Sequence, residues 1–538
     1  MVRFSLPKTS TEQPVAFRDA FLASQWLAKQ PQANVPVMLE ALTREIDAFN
    51  HFALPTRERF KTLEALRRMV FTIGSESCRH FENKPLPLTA DEQAVFLATS
   101  RLWRCCTLGY LYCLNACLEG EASLNGLAGK IAHRAITSLR MEQLCCYGAG
   151  SALGDHFWKE LHAIYLAAEK LQVLSEFVHD PLPNETLEST LTGQYGMAIL
   201  THLADPYTLR HVHLLAVLQW LSRWRELVTV QAPADTSFNN NAHSVVLDLS
   251  FPQDPAHSNK DSATQRQISF DAIFRKIGKR IKALKGGASP EDLRLGKLVT
   301  SEVSIELLGK LGACLYAPVL TPSRAAATAM QPVQVLCTLT DIYRLIGGTN
   351  AQENQPETSV ARIKAERLAI FGHIADPGNL APIVFETWQG ALSADTTTTL
   401  NLQRAVNRPG KRLTCGDLLG IRQTPDAELQ LASAIRLSTQ DGQIMVSAYL
   451  LTGKISPLAV EITEKISNAT FRYPALLLTR SGNELQIILP TNALARVLRC
   501  RLYDGADSAL LPLPFTPQTL IERHGDNERW QLGAPEAN

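Results

Sequence analysis

A chain of 538 residues that is 45% hydrophobic and 20% charged can bury sizeable cores and divides into about three or four domains. Those proportions exclude an intrinsically disordered chain. A formal net charge of +1 excludes an overall polyelectrolyte, so any anion binding must be local and nucleic acid is not an expected partner.

Met1 to Ser10 lack the apolar run of a secretory signal. The most membrane-like stretch, Leu102 to Leu118, contains Arg104 and Asn115 and falls short of the ~20 residues a span needs. It reads as a buried helix, and a cytoplasmic chain without a transmembrane segment is expected. Eleven cysteines, including the adjacent pairs Cys105-Cys106 and Cys145-Cys146, show no CxxC spacing. Reduced thiols packed as small hydrophobes account for them; Cys113 and Cys117, one helical turn apart, read as core packing with a metal or redox pair as the alternative.

Apolar residues at helical spacing predict helices over roughly 15–30, 35–53, 57–84, 90–119, 124–147, 154–176, 186–204 and 207–229. Thr89-Ala-Asp-Glu92 reads as a capping box: the threonine side chain accepts from the N3 amide while Glu92 reaches back. Phe60, Leu63, Leu66, Met69 and Val70 share one face of the preceding helix. Short connections make neighbours antiparallel, giving a closed bundle or a stack of helical hairpins over 1–229, without a fixed repeat period. Trp103, Tyr110, Trp158, Tyr165, Trp220 and Trp224 are expected in its core or lining a groove, and such grooves serve protein partners.

Residues 230–268 read as a linker with one strand, Ser244 to Phe251, between Asn- and Pro-rich tracts. A mixed region, 269–348, follows and carries the strongest local charge pattern. Phe270, Phe274, Ile277, Ile281 and Leu284 fall on one helical face, leaving Arg275, Lys276, Lys279, Arg280, Lys282 and Lys285 around the other. That face is either solvated or a phosphate-binding surface, with Arg275, Lys276 and Arg280 as contacts. Ser289-Pro-Glu-Asp292 starts a new helix, and Gly347 to Pro356 makes a further break.

Catalytic signatures fail on inspection. Gly296-Lys297-Leu298 lacks the hydroxyl residue and upstream glycine of a phosphate-binding loop, and neither GxSxG nor HExxH occurs. His156, Glu160 and His162 do not share a helical face, so they make a poor metal site. No catalytic set and no cofactor are expected.

From about Pro382 the hydrophobic period drops to two: Leu400/Leu402 alternate with Asn401/Gln403, Ile435/Leu437 with Arg436/Ser438, and Leu485/Ile487/Leu489 with Glu484/Gln486. Asp441-Gly442 and Ser481-Gly482-Asn483 are hairpin signals. The fold class is therefore α+β, with a helical front, a mixed middle and a small antiparallel β-barrel over 360–532. Trp388 to Arg404, followed by Cys415-Gly-Asp-Leu-Leu-Gly-Ile-Arg422, resembles the opening of a PilZ-type barrel. The layout is similar to that of proteobacterial proteins with a helical N-terminal region and a degenerate PilZ-like C-terminal barrel.

That resemblance implies a non-enzymatic second-messenger effector or adaptor with cyclic diguanylate as ligand. In the family, an RxxxR stretch grips phosphate and guanine edges and a [D/N]xSxxG turn approaches the base. Here the arginine pair would be Arg362 and Arg367, one residue farther apart, and only Ser393 fits the second motif, with Ala391 and Thr396 replacing its acidic or amide residue and its glycine. A ligand-independent interaction scaffold is the alternative.

Overall fold

The computed structural model describes residues 4–182, 187–232, 243–250, 263–316, 330–347, 383–392, 398–464, 470–480, 484–494, 497–504, 517–523 and 526–533. They divide into two compact units: Met1–Lys84 with Leu88–Arg324, and Ala325–Asn538 with Pro85–Pro87.

The first unit begins with α1 (Ala20–Ala28), α2 (Val35–Asn50), α3 (Thr56–Cys78), α4 (Ala90–Leu118), α5 (Ala128–Gly148) and α6 (Asp155–Lys170). The ribbon β1 (Val178–His179) and β2 (Glu188–Ser189) leads into α7 (Leu191–Leu203) and α8 (His211–Trp224). α4 opens on the expected capping box, in which Thr89 Oγ1 accepts from Glu92 N and Glu92 Oε2 accepts from Thr89 N. Trp103, Tyr110, Trp158, Tyr165, Trp220 and Trp224 are all buried.

The tract 230–268 differs from the single-strand linker read from sequence. β3 (Thr229–Gln231), β4 (Ser244–Asp248) and β5 (Gln265–Ser269) form an antiparallel sheet in the order β3-β5-β4. Val245, Leu247 and Ile268 join the helical core, as do residues of α9 (Asp271–Lys285) and α10 (Ser301–Tyr316). Local composition marked the turns but could not show that these short strands pair across them.

In the second unit β6 (Gln331–Leu336) precedes α11 (Leu339–Leu345), then β7 (Glu386–Leu392), β8 (Thr399–Ala405), β9 (Leu418–Arg422), β10 (Gln430–Gln440) and β11 (Gln443–Leu451). These six strands close an antiparallel barrel in the order β10-β11-β8-β7-β6-β9. Asp441 and Gly442 both have positive φ, the geometry of the two-residue turn that joins β10 to β11.

The barrel differs from the expectation in extent. It recruits β6 from the region read as mixed. β12 (Lys454–Glu464), β13 (Thr470–Thr479), β14 (Leu485–Pro490), β15 (Val497–Asp504), β16 (Pro517–Arg523) and β17 (Asn527–Leu532) instead build a separate six-stranded sheet, β15-β12-β13-β14-β17-β16. Alternation identifies strands, but which sheet a strand joins is decided by long-range pairing. Ile435 is a second difference: the register shifts between Ala434 and Arg436, and this bulge leaves Ile435 41% exposed while Leu437 is buried.

In the helical unit Gly74 on α3 packs directly against an aromatic ring. A Cβ there would lie 2.4 Å from Trp103 Cζ2, and Trp103 is itself held edge-on against Phe71 at 4.9 Å between ring centroids. Gly74→Ala should therefore destabilise the protein by about 1–3 kcal/mol through overpacking, read as a lower urea midpoint. An unchanged midpoint would show that Trp103 has room to move.

Candidate functional site

The helix α9 starts directly after β5 with Asp271 in its first turn and ends at Gly286 and Gly287, the latter at φ +92 where a side chain would be strained. Lys282 and Lys285 in its last turn complement the negative end of the helix dipole. Ile273, Ile277 and Leu284 enter the core. Phe274 stacks on His243 at 3.8 Å.

Between α9 and α10 lies an open apolar trough of about 460 Å³, walled by Phe274, Ile281, Leu308 and Tyr316 and floored by Gly309 and Gly312. The opposite side is cationic. Arg275 is exposed and pairs with Asp271 at 2.8 Å. Lys276 is half-buried, with Nζ 5.7 Å from the centre of the Trp224 ring, and Arg280 is half-buried beside it. Lys279, Lys282 and Lys285 are exposed. Among the described residues, no carboxylate forms an ion pair with Lys276, Lys279, Arg280, Lys282 or Lys285. Burial and, next, the positive charges of Arg280 and Arg294 pull the Lys276 ammonium below its usual range. The structure thus brings Lys276 and Arg280 together and turns Arg275 toward a carboxylate.

Arg362, Arg367 and Ser393 lie outside the described residues. The flanking motif residues fall in the barrel: Trp388 and Ala391 are in β7, and Ala391 pairs with Asn401 of β8. Arg404 stacks over the buried Trp388 ring and donates to Glu386. Lys411 reaches Asp526 at 2.7 Å, and Asn527 donates to Gly416 O at 3.2 Å, fastening the second sheet to the barrel.

Sequence reasoning missed a buried ionic cluster in the helical unit. Asp180, just after β1, receives both Arg67 Nη atoms, at 2.8 and 2.5 Å, and Arg134 Nη1 at 2.9 Å. Glu64 receives Arg134 Nε at 3.2 Å, Lys130 Nζ at 3.0 Å and the Tyr110 hydroxyl at 2.9 Å. Burial pushes Asp180 upward, but Arg67 and Arg134 hold it below the usual carboxylate range; Glu64 is lowered in the same way. His133, 2.7 Å from Ser189 Oγ, is pulled down to about 3 by burial and the Arg134 charge. Arg67 and Asp180 are 113 residues apart, and helix periodicity, which puts Arg59, Glu64 and Arg67 off the apolar face for solvent or a partner, does not show that Arg59 and Arg67 are buried.

The candidate metal residues diverge: His156 meets Glu142 at 3.0 Å, while His162 meets the Tyr195 hydroxyl at 3.0 Å and is lowered to about 4 by burial. Among the described residues no group of His, Cys, Asp and Glu could hold a metal ion, and no helix is long and apolar enough to cross a membrane. Cys78 and Cys145 lie 3.4 Å apart between sulfurs in the core.

The fold and these features define an α+β protein that joins a helical unit with a cationic helix to a unit containing a closed β-barrel. Residues 21–235, which run from α1 through β3, match the family described as the N-terminal domain of the cyclic-di-GMP receptor FimW. No curated protein matches the chain.

Because His133 and His162 are depressed in the folded state, the unfolded chain binds more protons below about pH 6.5. Folding stability should be full above that pH and fall as the pH drops from about 6.5 toward 4. A urea series read by tryptophan emission checks this, and His133→Gln should flatten the slope. A stability independent of pH in that window would contradict neutral, buried histidines.

Proposed function

We propose that this protein is a non-enzymatic, cytoplasmic effector that responds to cyclic diguanylate and passes the signal to a protein partner through its helical unit. The observation that carries the reading is the match of residues 21–235 to the N-terminal domain of a cyclic-di-GMP receptor. It is supported by the PilZ-like tract Trp388 to Arg404, which coincides with β7 and β8 of a closed barrel. In this reading Arg362 and Arg367 grip phosphate with their guanidinium forks and Ser393 stands at the base-side turn.

Ala391 favours the second reading, a ligand-independent scaffold. A methyl group occupies the strand position where the family motif carries a carboxylate or amide, so one hydrogen bond to the base is lost. Calorimetry separates the two. A receptor binds cyclic diguanylate saturably and ordinary mononucleotides not at all, and Arg362→Ala or Arg367→Ala should weaken it roughly ten- to a hundredfold, the loss of one charge-assisted bond. Absence of heat at high protein concentration supports the scaffold.

A further inference from the structure

The segment after α9 is built around an unusual residue. Ser289 Oγ accepts from Asp292 N at 3.1 Å and opens one helical turn. That turn closes with Arg294 N donating to Glu291 O at 2.8 Å and Leu295 N to Pro290 O at 2.7 Å. This is the paired closure in which the left-handed position is normally glycine, because a Cβ crowds the neighbouring carbonyl there. Here the position holds Arg294, at φ +58, with Gly296 at φ +86 two residues on.

Two side chains of α8 hold the turn in place. Trp220 Nε1 donates to Leu295 O at 2.7 Å and Arg223 Nη1 donates to Arg294 O. The turn so held carries the exposed Arg294 close enough to α9 for its charge, like that of Arg280 one turn along the helix, to act on Lys276. Arg280 Nε is out of solvent and has no hydrogen-bond partner among the described residues. None of the three cations has a carboxylate partner among the described residues, although Glu291 and Asp292 stand in the same turn: Glu291 is taken by Lys297 at 3.2 Å and Asp292 by Ser289.

Three like charges, two of them half-buried, repel one another and are incompletely solvated, which is unfavourable until an anion sits between them. Backbone conformations of this kind persist where the surroundings over-determine them and tend to occur at ligand sites. We propose that Lys276, Arg280 and Arg294 form a cradle for a phosphate group of a nucleotide-type phosphodiester, a residue set distinct from the contacts Arg362, Arg367 and Ser393 of the proposed function. That the occupant is cyclic diguanylate rests on the proposed function; the phosphate chemistry does not. A compact anion is favoured over a membrane because a flat anionic surface would meet the exposed Lys279, Lys282 and Lys285 first, not the half-buried Lys276 and Arg280.

The full chain is titrated calorimetrically at about 0.15 M salt, where exposed charges are screened beyond about 8 Å, with cyclic diguanylate and separately with inorganic pyrophosphate. The variant Lys276→Gln/Arg280→Gln/Arg294→Gln should bind both at least about tenfold more weakly. Lys279→Gln/Lys282→Gln/Lys285→Gln should stay within about threefold of the parent. If the cradle variant melts early, Arg280→Gln alone is read instead, since its carbon stem keeps the packing. Cyclic diguanylate binding lost in Arg362→Ala but intact in the cradle variant overturns the cradle and leaves the proposed function standing. Pyrophosphate heat that the cradle variant loses, with no heat from cyclic diguanylate in the parent, supports the cradle and sinks that function. No heat from either ligand, with binding only to vesicles containing phosphatidylserine, overturns the cradle in favour of a membrane surface.

Discussion

The buried carboxylate of Asp180 is the constraint around which the helical unit is arranged. It accepts from Arg67 on α3 and Arg134 on α5, and Arg134 passes the connection to Glu64, which also gathers Lys130 and Tyr110 from α5 and α4. Desolvating such charges is costly, and the hydrogen bonds made here return much of that cost, with Arg67 Nε left without one. Loss of one partner would strand a buried charge, at about 3–5 kcal/mol. The cluster therefore fixes how the helices meet more than it adds net stability. All its members fall inside residues 21–235, the stretch shared with the receptor family.

The same frame positions the cationic surface. Arg225, at the end of α8, donates to Glu188 O of the β1–β2 ribbon at 3.2 Å, and Ser189 in that ribbon meets His133. With α8 held there, Trp220 and Arg223 can pin the turn that carries Arg294, and Trp224 supports Lys276. The sheet β3-β5-β4 feeds α9 onto this platform, so a helix that could have been a free amphipathic segment becomes part of the core. Its two sides then differ: an apolar trough toward α10 and, opposite, cations of which only Arg275 has a carboxylate partner among the described residues.

Much of the fold was legible from periodicity, because helices and strands bury one face each and print that face into the sequence. The capping box at Thr89, the apolar face of α9 and the Asp441-Gly442 hairpin are local features and stand as read. Membership of β6 in the barrel and the separation of β12–β17 into a second sheet were not legible, since strand partners are chosen over long sequence distances. The bulge at Ile435 reversed a face for a similar reason: one unpaired residue shifts the alternation that follows it. Of the candidate site, Lys276 and Arg280 could be named from charge pattern, but Arg294 could not. Ser289-Pro-Glu-Asp292 announced a new helix, whereas one turn forms there and closes on an arginine in the conformation usually left to glycine.

The proposed function separates a receptor for cyclic diguanylate from a passive scaffold. Hydrogen–deuterium exchange of the full-length protein with and without saturating cyclic diguanylate tests it most directly, since it needs no substitution and reports on every segment. The account predicts slower exchange with ligand in peptides spanning 271–296 and in the barrel peptides around β7 and β8. Identical deuterium uptake along the whole chain would contradict it.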